Sequence, residues 1–582
     1  MDRLWIRTTL VLCVFAAVFI ALTVGSYTQK SATADEPQHL TAGYTALRLR
    51  DYRVDPEHPP LLRMWVALPL LAMADVHFDT NTVGWRTGQD WEFSHHFLYK
   101  LNDADRLLYR ARFMTVLLGL ALGALVFSWA RELFGFGTAV AVLTLYCLEP
   151  NILAHSSLVT TDLGVTCFIF GTLYFLWRLT RRFTTGNAAG LTMFFALAQI
   201  SKFSALALGP IVLLLLLAHI RCKGAWPYQF GSRGELQAEW RKLLAVVALL
   251  LVLMLATYVA VWMVYGFRYG PTAPSEDLAR LKKYPEMLEL VRPISTITEW
   301  LDRHRLLPDT YTKSLVLSQI KAQNRSAYLL GRYSHTGWWY YFPVAFLVKT
   351  PLTILLLFFS GLALTAKKRD RWKSIGVFLV LPLVVYFGFA MMAHLNIGLR
   401  HILPVYPLAL LIAGVTLDEM RAKWRTIVLL VPVVLAAVEL ATAYPHCLAF
   451  FNESIGGPKN GHWVLLDSNL DWGQDLKPLK RWMDAHHIPT INLGYFGTAD
   501  PAYYGIDSTL LVGSPPYLAA RVTEPRLPGY VAVSVQNLHG VQQNTPMREF
   551  YGPLLEREPS AVIGYSIHVY WAETNWWYNP HP

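Results

Sequence analysis

Charge is scarce in this chain. Asp, Glu, Lys and Arg make up 16% of its 582 residues, where soluble domains carry about 25%. That excludes an ordinary soluble fold. Cysteine is scarce as well: there are five, at 13, 147, 167, 222 and 447. Only Cys447 falls outside the apolar runs and their basic ends, which excludes a disulfide framework. Internal repeats and low-complexity tracts are missing too.

What the chain has is apolar length. Of its residues 54% are hydrophobic and the mean hydropathy is +0.32. Long apolar runs occupy residues 4–27, 107–129, 138–153, 163–179, 188–200, 203–220, 243–265, 341–364, 375–392, 402–417 and 427–443. A helix needs about 20 residues to cross the ~30 Å hydrocarbon layer, so we expect about eleven transmembrane helices. The third and fifth runs are short, and residues 188–220 read either as two spans or as one broken helix. The first run lacks a small-residue cleavage site and is expected to be retained, not cut as a signal peptide.

The net charge of +11 reports topology. Numbered from an inside N-terminus, the cations collect on one side: Arg3 and Arg7; Arg178, Arg181 and Arg182; Arg221, Lys223, Arg233, Arg241 and Lys242; Lys367 to Lys373; and Arg421, Lys423 and Arg425. This is the positive-inside pattern, and it gives no support to nucleic acid as a partner. It predicts a multi-pass protein of the inner or plasma membrane. Residues 28–106, 266–340 and 445–582 then lie outside the cytoplasm, with the C-terminus and the candidate site. The expected organisation is a transmembrane catalytic domain over residues 1–444 and a small extracytoplasmic α/β domain over 445–582. Within the first outer loop, residues 36–50 and 61–73 read as amphipathic helices lying in the interface. "GRYSHTGWWYYFP" (331–343) is an aromatic belt at re-entry. In the tail, residues 463–466, 490–496, 530–535 and 561–571 are strand-like and 475–487 helical; Trp472, Trp571, Trp576 and Trp577 read as membrane-docking residues.

Ionisable groups at membrane depth are costly and by default functional. Several gather on the outer side: Asp35 and Glu36 where the first span ends; Glu57 and His58 in "EHPPL"; His155 and Asp162 around "HSSLVTTD"; Lys202 in "SKFSAL"; and His394, Arg400 and His401 in "HLNIGLRHILP". Carboxylates facing a Lys and an Arg suit transfer from a phosphate-linked donor, one group taking the acceptor's proton and the cations stabilising the departing phosphate. Blander roles compete. Asp35 and Asp162 also fit helix caps, Lys202 and Arg400 fit snorkelling anchors, and the acids of "DSNLDWGQD" (467–475) fit turns and caps. Glu57 and His58 have metal-ligand chemistry but no full ligand set.

In order along the chain, the Asp–Glu pair, "EHPPL", "HSSLVTTD", "SKFSAL", "GWWYYFPVAFLVKTPL" and "NIGLRHILPVYPL" resemble the GT-C superfamily of glycosyltransferases. The likeness is to the bacterial branch of the dolichyl-phosphate-mannose–protein mannosyltransferase family, which includes the aminoarabinose transferase, and it spans residues 4–444. The resemblance implies a GT-C type α-helical membrane fold. It implies Asp35 as catalytic base or acceptor-positioning carboxylate, Asp162 as a second essential acid with Glu36 beside them, and Lys202 and Arg400 near a lipid phosphate, with His58 and His155 in supporting positions. Glu57 matches a position implicated in divalent metal binding; His58 stands where the aminoarabinose enzyme has Lys. The implied reaction moves a hexose or pentose from a polyprenyl-phosphate donor to a protein, lipid or polysaccharide on the outer face, with inversion, Asp35 taking the hydroxyl proton. A transporter or flippase of lipid-linked sugars is the rival reading. Charges at one interface and the lack of an inverted repeat count against it.

Overall fold

The computed structural model describes residues 2–221, 224–230, 232–270, 286–323, 325–424, 429–518, 524–541 and 545–576. Cys222, Lys223, Arg425, Trp577 and residues 271–285 of the large outer segment lie outside them. The apolar runs fold as helices. Asp2–Tyr27, Ala104–Phe134, Asp162–Arg181, Leu208–Ile220 and Glu239–Val264 are joined by Arg369–Met392, Val405–Trp424 and Leu430–Ala443. Among the described residues five helical stretches are long and apolar enough to cross a membrane, or up to seven if each bent pair is one span.

The bends revise two expected spans. Phe136–Leu148 and Pro150–Ser156 meet at 63°, and Tyr341–Lys349 and Leu352–Lys367 at 118°. Each break falls at a proline, Pro150 or Pro351, which lacks the N–H that would continue the ladder. Residues 188–220 fold as two helices, Thr185–Gln199 and Leu208–Ile220, joined through a 3₁₀ turn at Phe203–Ala207. Lys202 sits in that break.

Both helices of the first outer loop form, as Glu36–Leu49 and Leu61–Leu71. The former is buried from Glu36 to Ala46, so it is internal to the outer layer instead of floating in the interface. Gly43 makes this packing possible: a Cβ there would stand 1.9 Å from the Arg63 carbonyl oxygen.

The tail carries a five-stranded sheet in the order Ser508–Leu510, Ile491–Gly494, Gly529–Ser534, Ile567–Ala572, Ala561–Ile563. The first three strands are parallel and the last two antiparallel; the helix Leu476–Ala485 accompanies it. Residues 463–466 are not a strand. They leave a 3₁₀ turn, Pro458–Trp463, in which the N–H groups of both Val464 and Leu465 donate to the Gly461 carbonyl. Leu465, Leu466 and Leu470 then enter the same apolar cluster as Trp129 and Tyr146 of the helical layer. Leu476, Leu493 and Ile567 pack with Leu40 and Tyr44 of the first outer loop. The tail is thus seated on the helices through two shared cores.

Candidate active site

A cavity of about 1080 Å³ opens between the first outer loop, the helix break at Lys202, the Arg400 turn and the tail. Asp35 reaches it from the N-terminus of Glu36–Leu49. Its side chain makes no capping bond, which removes the cap reading. Instead the Arg400 Nη1–H donates to Asp35 Oδ2 at 3.0 Å. Asp162 begins the helix Asp162–Arg181 and likewise does not cap it: its Oδ1 accepts from Lys202 Nζ at 2.5 Å, and its Oδ2 is 3.9 Å from Arg400 Nη1. One aspartate is thus shared by both cations expected near a phosphate. All four side chains come together, three of them buried and Asp35 27% exposed.

The other expected residues divide. His58 and Glu57 line the cavity. Burial first, then the charge of Lys202, holds the His58 imidazole well below its ordinary range, so it faces the cavity neutral. His401, also on the wall, is held down by the same causes in the same order. Glu57 pairs with Lys321 Nζ at 2.5 Å. Among the described residues no three His, Cys, Asp or Glu side chains are grouped to hold a metal ion. His155 is buried and stands off the cavity wall.

Glu36 is the clear departure. It is fully buried and absent from the wall. Its Oε1 accepts from Arg112 Nε at 2.8 Å and the Val159 N–H at 2.9 Å, and its Oε2 from Arg112 Nη2 at 2.6 Å and the Thr33 N–H at 2.8 Å. With its acceptor sites filled, this carboxylate ties the Asp35 loop to the helix Ala104–Phe134 and to the turn at Val159, and is not free to meet a substrate. Arg112, an arginine inside the apolar run 107–129, was the sequence signal for it.

The tail contributes what sequence reasoning assigned elsewhere. Trp472 is buried, not docked on a membrane: its indole lies 4.1 Å under the Arg400 guanidinium. Trp576 is buried as well, while Trp571 is 46% exposed. The Ala34 N–H donates to the Trp472 carbonyl and the Ser31 N–H to that of Gln474, and Lys30 pairs with Asp475 at 2.5 Å. The turn 472–475 therefore holds the segment that ends at Asp35. Asp467 also lines the cavity, and burial raises its carboxyl above the ordinary range against the pull of Arg325 and Arg400. Beyond these charges the wall turns apolar, with Leu206, Ala207, Pro210, Tyr386, Phe389 and Ala390.

Two family models match segments of the chain. That for dolichyl-phosphate-mannose-protein mannosyltransferase covers residues 104–255, and that for the Alg9-like mannosyltransferase family covers residues 328–452. No curated protein sequence gives a match. Among solved structures, ArnT from Cupriavidus metallidurans bound to undecaprenyl phosphate is 13% identical, with a TM-score of 0.46 and 98% of each chain covered. The oligosaccharyltransferase of Archaeoglobus fulgidus in complex with Zn and sulfate is 11% identical, TM-score 0.45, covering 93% of this chain and 71% of that one. The archaeal oligosaccharyltransferase AglB from Archaeoglobus fulgidus, in complex with an inhibitory peptide and a dolichol-phosphate, is 10% identical, TM-score 0.42, with 93% and 72% covered. The chain is a multi-pass membrane glycosyltransferase. Both family models that match it are of mannosyltransferases.

Proposed function

We propose that the cavity takes a sugar linked to a polyprenyl phosphate and transfers it to a hydroxyl acceptor on the extracytoplasmic face. One observation carries this reading: Lys202 and Arg400 converge on Asp162 beneath a cavity whose far wall is apolar. A phosphodiester seated between the two cations would gain charge-assisted hydrogen bonds, and its chain would run along Leu206–Pro210 and Tyr386–Ala390. The ligands named for ArnT and AglB, undecaprenyl phosphate and a dolichol-phosphate, are of this class. The one-sided charge of the loops along the sequence supports the extracytoplasmic placement.

The chemistry follows from the layout. The donor phosphate takes up the face of Arg400 that now meets Asp35, and Asp35 then accepts a hydrogen bond from the acceptor hydroxyl and orients it. The hydroxyl oxygen attacks the anomeric carbon, the bond to the phosphate oxygen breaks with its electron pair going to the phosphate, and Lys202 and Arg400 hold the charge that develops. Attack opposite the leaving group inverts the anomeric centre.

The test is titration of the purified protein in nanodiscs with undecaprenyl phosphate, beside lipid profiling of a strain lacking the protein. Binding that weakens at least tenfold in Lys202→Ala and Arg400→Ala, and accumulation of a lipid-linked sugar in the deletion strain, are the expected results. Binding indifferent to both cations, or an unchanged lipid profile, would refute the reading.

A further inference from the structure

His39 lies one helical turn after Asp35, on the same face of Glu36–Leu49, and both line the cavity. Its Nδ1–H donates to Asp55 Oδ2 at 2.7 Å. Asp55 is itself fixed from several sides. Its Oδ2 meets Arg63 Nη1 at 2.6 Å, its carbonyl accepts from the same guanidinium, and its N–H donates to Asp90 Oδ2 at 2.9 Å. The residue adopts φ 48°, a left-handed conformation that Asp tolerates better than most side chains and that persists where surroundings over-determine it. Burial would raise the Asp55 carboxyl, yet Arg63 and then His39 hold it below the usual range, so it stays an anion. The arrangement fixes the imidazole ring. Among the described residues no hydrogen bond is made by the other ring nitrogen, Nε2.

An imidazole whose Nδ1–H is held by a buried carboxylate is the usual construction of a general base, and the pair lines the same cavity as Asp35. Resting on the glycosyltransferase reading above, we infer that the His39–Asp55 pair is the proton acceptor of the transfer step, with Asp35 orienting the hydroxyl. As the acceptor oxygen bonds to the anomeric carbon, its proton passes to His39 Nε2. The bond from that carbon to the phosphate oxygen breaks, and Asp55 stabilises the imidazolium that results. The proton then leaves His39 through the cavity to water.

Membranes of a strain lacking the protein contain both the accumulated lipid-linked sugar and its acceptor. The rate at which added purified protein discharges that lipid to free polyprenyl phosphate therefore reads transfer without naming either partner. His39→Asn retains a donor toward Asp55 but offers no base, and His39→Ala leaves room for added imidazole. We expect both variants to discharge the lipid about 100-fold or more slowly. Their affinity for undecaprenyl phosphate in nanodiscs should stay within about twofold of wild type, and imidazole should restore part of the His39→Ala rate. A His39→Asn protein that discharges the lipid at the wild-type rate would show that only the bond to Asp55 matters, and would overturn the inference while leaving the donor reading intact. Wild-type protein that binds no undecaprenyl phosphate would overturn the donor reading and this inference with it.

Discussion

The Arg400 guanidinium carbon lies over the Trp472 indole, 4.1 Å from its centre, so a side chain of the tail braces the cation that reaches both Asp35 and Asp162. A cation–π contact of this kind is worth about 0.5–2 kcal/mol, and here it braces the guanidinium beside its carboxylates. Trp472→Phe keeps an aromatic face and should retain undecaprenyl-phosphate binding within about threefold. Trp472→Leu should weaken it by about tenfold, and that loss should vanish in an Arg400→Ala background, because a mutant cycle reports only the pairwise part. An equal loss with and without Arg400 would mean that Trp472 merely fills space.

The fork of a guanidinium is not replaced by an ammonium. Arg400→Lys should therefore recover only part of what Arg400→Ala loses, measured by the same titration. A snorkelling anchor would behave like wild type in the Lys variant.

Glu36 should report on folding, not on chemistry. It and Arg112 form a buried pair with every carboxylate acceptor position used. Removing one partner from such a pair costs about 3–5 kcal/mol because the other charge is left buried and alone. Glu36→Gln should lower the melting temperature and the yield of detergent-stable protein, while the fraction that folds binds undecaprenyl phosphate as wild type does. A variant of normal stability with abolished transfer would return Glu36 to the mechanism.

The helical layer was legible because span length and one-sided loop charge are local, one-dimensional signals. The Asp35, Asp162, Lys202 and Arg400 grouping was legible for a related reason: charge at the ends of apolar runs stands out against its background. The roles inside the group were not. Asp35 and Glu36 are adjacent in sequence yet face opposite ways, one to the cavity and one to Arg112, and only the helix start at Glu36 decides which is which. Trp472 read as a surface anchor because its partner Arg400 is seventy-two positions away, and nothing local announces a long-range stack. His39 and Asp55 escaped notice for the same reason, since their pairing depends on the chain turning back after Glu36–Leu49. The strand expected at 463–466 failed because a continuous apolar run suits burial in any backbone form.

Orientation can be tested at exposed positions. Thr80 and Ser560 are exposed in the outer segments and Thr185 on the basic side. In a protein freed of its native cysteines, Thr80→Cys and Ser560→Cys should label with an impermeant thiol reagent in intact spheroplasts, and Thr185→Cys only after permeabilisation. The reverse pattern would put the cavity on the side where nucleotide sugars are available and remove the need for a lipid donor.

Asp471 is fully buried in the turn beneath the cavity, its oxygens accepting the N–H groups of Gly473 and Gln536 at 3.1 Å each. Burial pushes its carboxyl up to about 8, with Asp475 and Asp467 adding in the same direction against the two backbone N–H groups. In the unfolded chain an aspartate titrates near 3.9. Between those values the folded protein holds a proton that the unfolded chain has released, so stability falls as pH rises. The favourable contribution is complete below about pH 4 and lost on passing through about 8. Wild-type protein should therefore lose melting temperature from pH 5 to pH 8 more steeply than Asp471→Asn, whose side chain stays neutral throughout. Matching slopes for the two proteins would show that Asp471 is ionised in the fold at neutral pH, and that some other group keeps its charge tolerable there.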